Sequence, residues 1–336
     1  MTNEFEEILN FYSNSIEKKL SCVVATIVEL EGSSYRKPGV RMLLREDGFQ
    51  LGAISGGCVE KDVWNYSKNV FNSNVPITIS YDGRYRLGCE GILYILIEPI
   101  KINLSSIKEI KKFILKRKKF KIESFYDKSE KNSNTNQGSI VLFEKNKIKF
   151  NEKVTIDNEG NSSILKFSDI LIPKIRLIII GTEHDASHLC KSGKSLGWEV
   201  IVIGSPKSKK TKINFPDADI YKSIDSSRFD ELNIDYLTSV VLISHNYAYD
   251  LKNFIELSKY DLFYLGILGN KKRKNTLIED SIEYEIELNA NFLDSIHSPA
   301  GINIGAITPQ EIATSIVSEI LSVSRKNHKK DNPKIK

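Results

Sequence analysis

The run Ile175-Arg176-Leu177-Ile178-Ile179-Ile180-Gly181 constrains the fold more than any other stretch of this chain. A short, nearly unbroken apolar run is the pattern of a strand covered on both faces. A helical pattern follows through Leu196, and a second buried strand spans Glu199 to Ile203. Ser239 to Ser244 and Leu262 to Leu268 repeat the theme, each flanked by helical segments. This alternation predicts a Rossmann-like, mostly parallel sheet. Thr308, Pro309 and Glu311 form a capping-box sequence with proline at the first helical position, opening a helix to about Ser324.

The first half reads differently. Phe5, Ile8, Leu9, Tyr12 and Ile16 fall at helical spacing, and a β-branched strand follows from Ser21 to Glu29. Arg41 to Leu44 and Phe49 to Ile54 predict a hairpin around Asp47-Gly48. A helix is expected over Val59 to Phe71, strands over Ile77 to Tyr81 and Ile92 to Glu98, and a second amphipathic helix over Leu104 to Phe120. Ile122 to Tyr126, Ser139 to Phe143 and Ile148 to Phe150 read as strands, and Lys128 to Gly138 as a loop. The expected fold class is therefore α/β: an N-terminal α+β domain over residues 1–170, a Rossmann-like domain over 171–325, and a disordered basic tail over 326–336. A length of 336 residues suits two domains.

The formal charge of +5 is small for this length, and the lysines lie in separate short runs without aromatic interleaving. That pattern is a solvated surface and argues against nucleic-acid binding. The sequence shows no export signal and no long apolar run, so a cytoplasmic protein without membrane contact is expected. Cys22, Cys58, Cys89 and Cys190 lack CxxC spacing and read as free thiols.

The chemistry concentrates in Gly52-Ala53-Ile54-Ser55-Gly56-Gly57-Cys58-Val59-Glu60. Adjacent glycines let consecutive N–H groups converge on an anion. A thiol placed after them, at the start of a helix, gains thiolate character and becomes a soft metal ligand or nucleophile. Upstream, Arg36, Lys37 and Arg41 are candidate phosphate-holding cations, and Leu87-Gly88-Cys89-Glu90-Gly91 adds a second thiol.

The order of these motifs resembles the XdhC/CoxI family, the accessory proteins of xanthine dehydrogenase and carbon monoxide dehydrogenase. The likeness continues in Tyr264 to Lys272, in His297-Ser298-Pro299-Ala300-Gly301, and in Thr308 to Ala313. The resemblance implies a protein that binds the molybdenum cofactor (molybdenum on molybdopterin) transiently, protects it, supports its sulfuration and inserts it into a xanthine dehydrogenase-type hydroxylase. It implies the apo-hydroxylase and a cysteine desulfurase as partners, allows a homodimer, and implies no catalytic residues of the chain's own. Gly56, Gly57, Cys58, Cys89, Arg36 and Arg41 are the expected cofactor contacts, with Cys58 as the metal ligand. Glu90 departs from the family's glycine at that position.

The turn after the first buried strand reads Gly181-Thr182-Glu183-His184-Asp185-Ala186. In a dinucleotide fingerprint the position of Glu183 is a glycine that lets the diphosphate approach. Gly204 stands where a ribose-binding acid belongs. Both departures speak against ordinary NAD(P) binding. The alternatives to the accessory-protein reading are an NAD(P)-dependent Rossmann oxidoreductase and an interaction protein that has lost cofactor binding. His184 and His245, at carboxyl ends of expected strands, are either site residues or loop caps; His297 serves either a turn or a ligand.

Overall fold

The structure is a computed structural model that describes residues 2–55, 57–83, 91–129, 136–152, 163–284 and 286–331, with the backbone alone for Cys58 and for residues 327–331. It divides into two compact units, Met1–Pro173 and Lys174–Lys336.

The first unit runs α1 (Thr2–Glu17), β1 (Cys22–Gly32), β2 (Arg41–Arg45), β3 (Gln50–Leu51), α2 (Cys58–Ser73), β4 (Ile77–Asp82), β5 (Gly91–Pro99), α3 (Leu104–Leu115), β6 (Phe120–Asp127), β7 (Gly138–Phe143), β8 (Asn146–Lys149) and β9 (Ile164–Leu171). Strands β3-β2-β1-β5-β4 form one antiparallel sheet and β8-β7-β6-β9 another. Strand β1 is apolar without alternation because its sheet is covered on both sides. Val23, Ala25 and Ile27 pack with Val59, Val63 and Val70 of α2, while Cys22 and Val24 pack with Phe5, Leu9 and Ile107 of α1 and α3.

Two sequence expectations need correction in this unit. The second amphipathic helix stops at Leu115, not Phe120, because Arg117 is left-handed (φ 53°) and Phe120 already begins β6. There the Phe120 ring packs against Phe5 and Phe113, so tertiary burial overrides the helix propensity of the lysines before it. Strand β9 has no counterpart among the expected elements. It pairs with β6 from Phe120↔Leu171 to Asp127↔Ile164, but much of it is exposed, which removes the clear apolar signal.

The second unit runs β10 (Arg176–Ile180), α4 (His184–Ser195), β11 (Glu199–Gly204), β12 (Ile220–Ser223), β13 (Thr238–Leu242), α5 (Tyr247–Leu257), β14 (Tyr264–Ile267), α6 (Lys271–Glu283), α7 (Ala290–Ser295), β15 (Ile296–His297) and α8 (Pro309–Asp331). The strand order is β12-β11-β10-β13-β14-β15, all parallel. That is the Rossmann order, with the chain reversing direction of growth between β10 and β13. One apolar layer joins the sheet to α4 and α8 through Leu189, Cys190, Ile316 and Ile320. The other joins it to α5, α6 and α7 through Phe254, Leu277 and Phe292.

Glu311 closes the start of α8 by accepting the Ile307 and Thr308 amides at 2.7 and 2.9 Å. The helix then continues through Asp331, past the expected end of the domain at residue 325. Lysine and arginine are good helix formers, and no breaker precedes Pro333. Residues 332–336 lie outside the described set. No helix among the described residues is long and apolar enough to cross a membrane.

Candidate functional site

Sheet register gathers the N-terminal motifs at one end of the first unit. Thr26 pairs with Arg41, Leu43 with Leu51, Gly32 with Gly91, and Asp82 with Ile92. The loop after β1, the turn after β3 and the connection from β4 to β5 therefore leave the sheet on the same side. Residues 84–90, and with them Cys89, lie outside the described set, as do Gly56 and the side chain of Cys58.

Helix α2 begins at Cys58, with Gly57 as its cap at φ 126°, a left-handed conformation natural to glycine. Glu60 occupies the third helical position and folds back. Its carboxylate accepts the Ser55 amide at 2.6 Å, the Ser55 hydroxyl at 3.0 Å and the Gly57 amide at 2.8 Å. Partial burial works against ionisation, but these hydrogen bonds outweigh it and hold the Glu60 carboxyl below its usual range. The Gly57 amide is thus engaged by an internal anion rather than open to a ligand. The Gly-x-x-Glu spacing carries the acid half of a capping box, a signal that the sequence contained.

The cations separate. Arg41 turns inward from β2 and pairs with Asp169 of β9 at 2.6 Å, also donating to the Gly39 carbonyl at 3.0 Å. Its Nε and Nη2 are buried without a hydrogen-bond partner among the described residues. Fully buried Glu98 accepts the Ser139 amide at 2.8 Å. Desolvation pushes the Glu98 carboxyl up to about 7, against the Ser139 hydrogen bonds and the Arg41 charge. Arg36 is half-buried over the Tyr35 ring, 5.4 Å from its centroid.

In the second unit, the carboxyl ends of β10, β11 and β13 frame a crevice of ≈ 700 Å³ lined by Gly181, Thr182, Glu183, Ser205, Ser208 and Asn246 among others. This is the switch point where open α/β sheets bind ligands. Gly181 cannot be replaced: a Cβ there would stand 2.5 Å from the Ile243 carbonyl. At Gly204 a Cβ would meet the Tyr221 hydroxyl at 2.5 Å. Tyr221 therefore fills the space beside the end of β11, donating to the Lys210 carbonyl at 2.7 Å. Lys210 donates to the Thr182 carbonyl and stands 3.9 Å from Glu183. Sequence reasoning missed this lysine, which only the loop after β11 brings to the turn.

The expected histidines face elsewhere. His184 meets His188, Nε2 to Nε2 at 3.3 Å, and His245 meets Asp185 at 3.2 Å; neither His184 nor His245 belongs to the crevice lining. His297 stacks on Tyr264 with 4.5 Å between ring centroids and pairs with Glu319 at 3.2 Å. Glu319 also accepts the Tyr264 hydroxyl and the Gly301 amide, each at 2.7 Å. Cys22 and Cys190 are buried free thiols.

Strand order and crevice define the second unit as a Rossmann domain whose diphosphate turn carries an acid. The signature described as the XdhC Rossmann domain matches residues 177–320, and that of the XdhC and CoxI family matches residues 15–82. A Bacillus subtilis protein named as a probable xanthine dehydrogenase subunit is 28% identical over 329 residues, covering 93% of this chain and 96% of that protein. An Escherichia coli protein named molybdenum cofactor insertion chaperone PaoD is 23% identical over 328 residues, covering 96% of this chain and 90% of its own length. A crystal structure of a Bacillus halodurans protein named as a xanthine dehydrogenase matches with a TM-score of 0.76 at 27% identity, over 95% of this chain and 96% of that one. The chain belongs to the XdhC/CoxI family.

Proposed function

We propose that this chain is an accessory protein, not an enzyme, that binds the molybdenum cofactor as cargo and inserts it into a xanthine dehydrogenase-type hydroxylase. The observation that carries the reading is similarity along nearly the whole chain to a protein named as a molybdenum cofactor insertion chaperone. Support of cofactor sulfuration, with a cysteine desulfurase as partner, belongs to the same proposal. Release to the apo-hydroxylase requires that docking weaken the hold on the cargo or that the acceptor bind it more tightly.

Two places suit the cargo. At the first residue of α2, Cys58 offers a soft ligand for molybdenum, with Cys89 as a second thiol. A phosphate at that helix end competes with the Glu60 carboxylate for the Gly57 amide. In the second unit the crevice has the size of a small-molecule pocket and is lined by the cation Lys207, with Lys210 bound to the carbonyl of its lining residue Thr182. We take Cys58 as the principal determinant. Anaerobic purification followed by cofactor quantification tests this: Cys58→Ala is expected to lower bound cofactor at least about tenfold, or ~1.4 kcal/mol. Equal retention by folded wild type and variant sinks the ligand role. A loss on Lys207→Ala and Lys210→Ala instead moves the cargo to the crevice.

The Rossmann strand order and Gly181 favour a second reading, an NAD(P)-dependent oxidoreductase. Against it stand Glu183 at the diphosphate turn and Tyr221 in the space beside Gly204. Titration with the nicotinamide cofactors separates the two.

A further inference from the structure

We infer that His184 and His188 form a site for a divalent transition-metal ion of the zinc, cobalt, nickel or copper type on the outer face of α4. His184 opens α4 and His188 follows one turn later, the spacing that sets two side chains on one helix face. Their Nε2 atoms are 3.3 Å apart, with ring planes at 83°. Two imidazoles at 2.0–2.1 Å from a tetrahedral ion hold their nitrogens roughly 3.3 Å apart. The rings therefore already stand at a chelating separation. In the free chain one Nε2–H donates to the other ring; with an ion between them, both rings carry their proton on Nδ1.

A third donor comes from another element. The Gln310 side-chain amide, at the start of α8, lies 3.5 Å from His188 Nε2. Turning that amide over presents its oxygen instead of its nitrogen. Among the described residues no group of three His, Cys, Asp or Glu side chains could hold one ion, so a third protein ligand here has to be of another type, and Gln310 is the amide within reach. The positive helix end at α4 would repel a cation, but Glu183 at its N-cap, Asp185 in its first turn and Glu311 in the first turn of α8 offset it. Imidazole nitrogens select zinc, cobalt, nickel and copper over magnesium and calcium. The remaining positions go to water, which makes the site exchangeable rather than closed.

The test is titration of the metal-free full-length chain with Co²⁺, read by its visible absorption, followed by displacement with Zn²⁺. Saturable one-site binding is expected without a thiolate-to-cobalt charge-transfer band. His188→Ala, a change on the helix surface, should weaken binding at least about tenfold. His184→Ala should do the same, Gln310→Ala should weaken it less, and Cys58→Ser should leave it unchanged. Circular dichroism and thermal unfolding check that the variants remain folded. The site is refuted by equal affinity in wild type and His188→Ala, or by no saturation below ~1 mM cobalt.

Discussion

The Glu60 carboxylate accepts the Gly57 amide at 2.8 Å, so the helix end that follows two glycines carries its own anion. The same carboxylate takes both the amide and the hydroxyl of Ser55. One side chain thus organises the turn before Cys58 and competes with any phosphate directed to it.

Glu60→Ala should cost about 1 kcal/mol, the usual worth of a helix cap. Because the folded-state pKa is lowered, this contribution is present above the unfolded carboxyl value and is lost as pH falls through the folded one. The difference in Tm between wild type and Glu60→Ala should shrink as pH drops from neutral into the acid range. A constant difference across that range would refute the ionic cap.

Glu98 runs the opposite way. Its folded pKa is raised to about 7 by burial, so its contribution is fully present below the unfolded value and declines as pH rises through 7. Denaturant unfolding should show wild type losing stability relative to Glu98→Gln between pH 5 and pH 8, by on the order of 2 kcal/mol. Parallel pH profiles for the two proteins would show that Glu98 titrates near its ordinary value.

Arg41 and Asp169 tie β2 to β9 through a pair at 2.6 Å, with the arginine side chain buried. Removing either partner leaves an uncompensated charge, so Arg41→Ala and Asp169→Ala should each destabilise the chain by about 3 kcal/mol. A double-mutant cycle should show strong coupling. Additive losses would mean that the two residues act separately.

Glu183 and Lys210 meet at 3.9 Å over the diphosphate turn. Isothermal titration with NAD(H) and NADP(H) should show no saturable binding in the micromolar range for the wild type. Glu183→Gly removes the acid and should bring any residual affinity up. Tight binding by the unaltered chain would reopen the oxidoreductase reading.

Much of this fold is legible in the chain because long buried strands announce themselves. Leu177–Ile180, Val200–Ile203 and Val240–Leu242 are unbroken apolar runs because helices cover both faces of their sheet. Strand β9 and the two-residue strand β15 were not legible, one because it is largely exposed, the other because it is too short to carry a period. The Gly57–Glu60 cap lies within four residues, a local signal in the sequence that the motif reading left unused. The Lys210 bridge, formed across a separation of 28 residues, was not readable.

The sequence alone determined the local features: where helices start, which strands are buried, where the glycines and thiols stand, and which family motifs occur in which order. These depend on residue type and near-neighbour spacing. Tertiary structure alone decided what a charged group meets when its partner is distant in the chain. Arg41, expected at a ligand, lies against Asp169, 128 residues away, and His245 lies against Asp185, 60 residues away. Charge and hydrogen-bonding capacity are properties of a residue. The partner that satisfies them is chosen by packing, which brings distant segments together and penalises any buried polar group left alone.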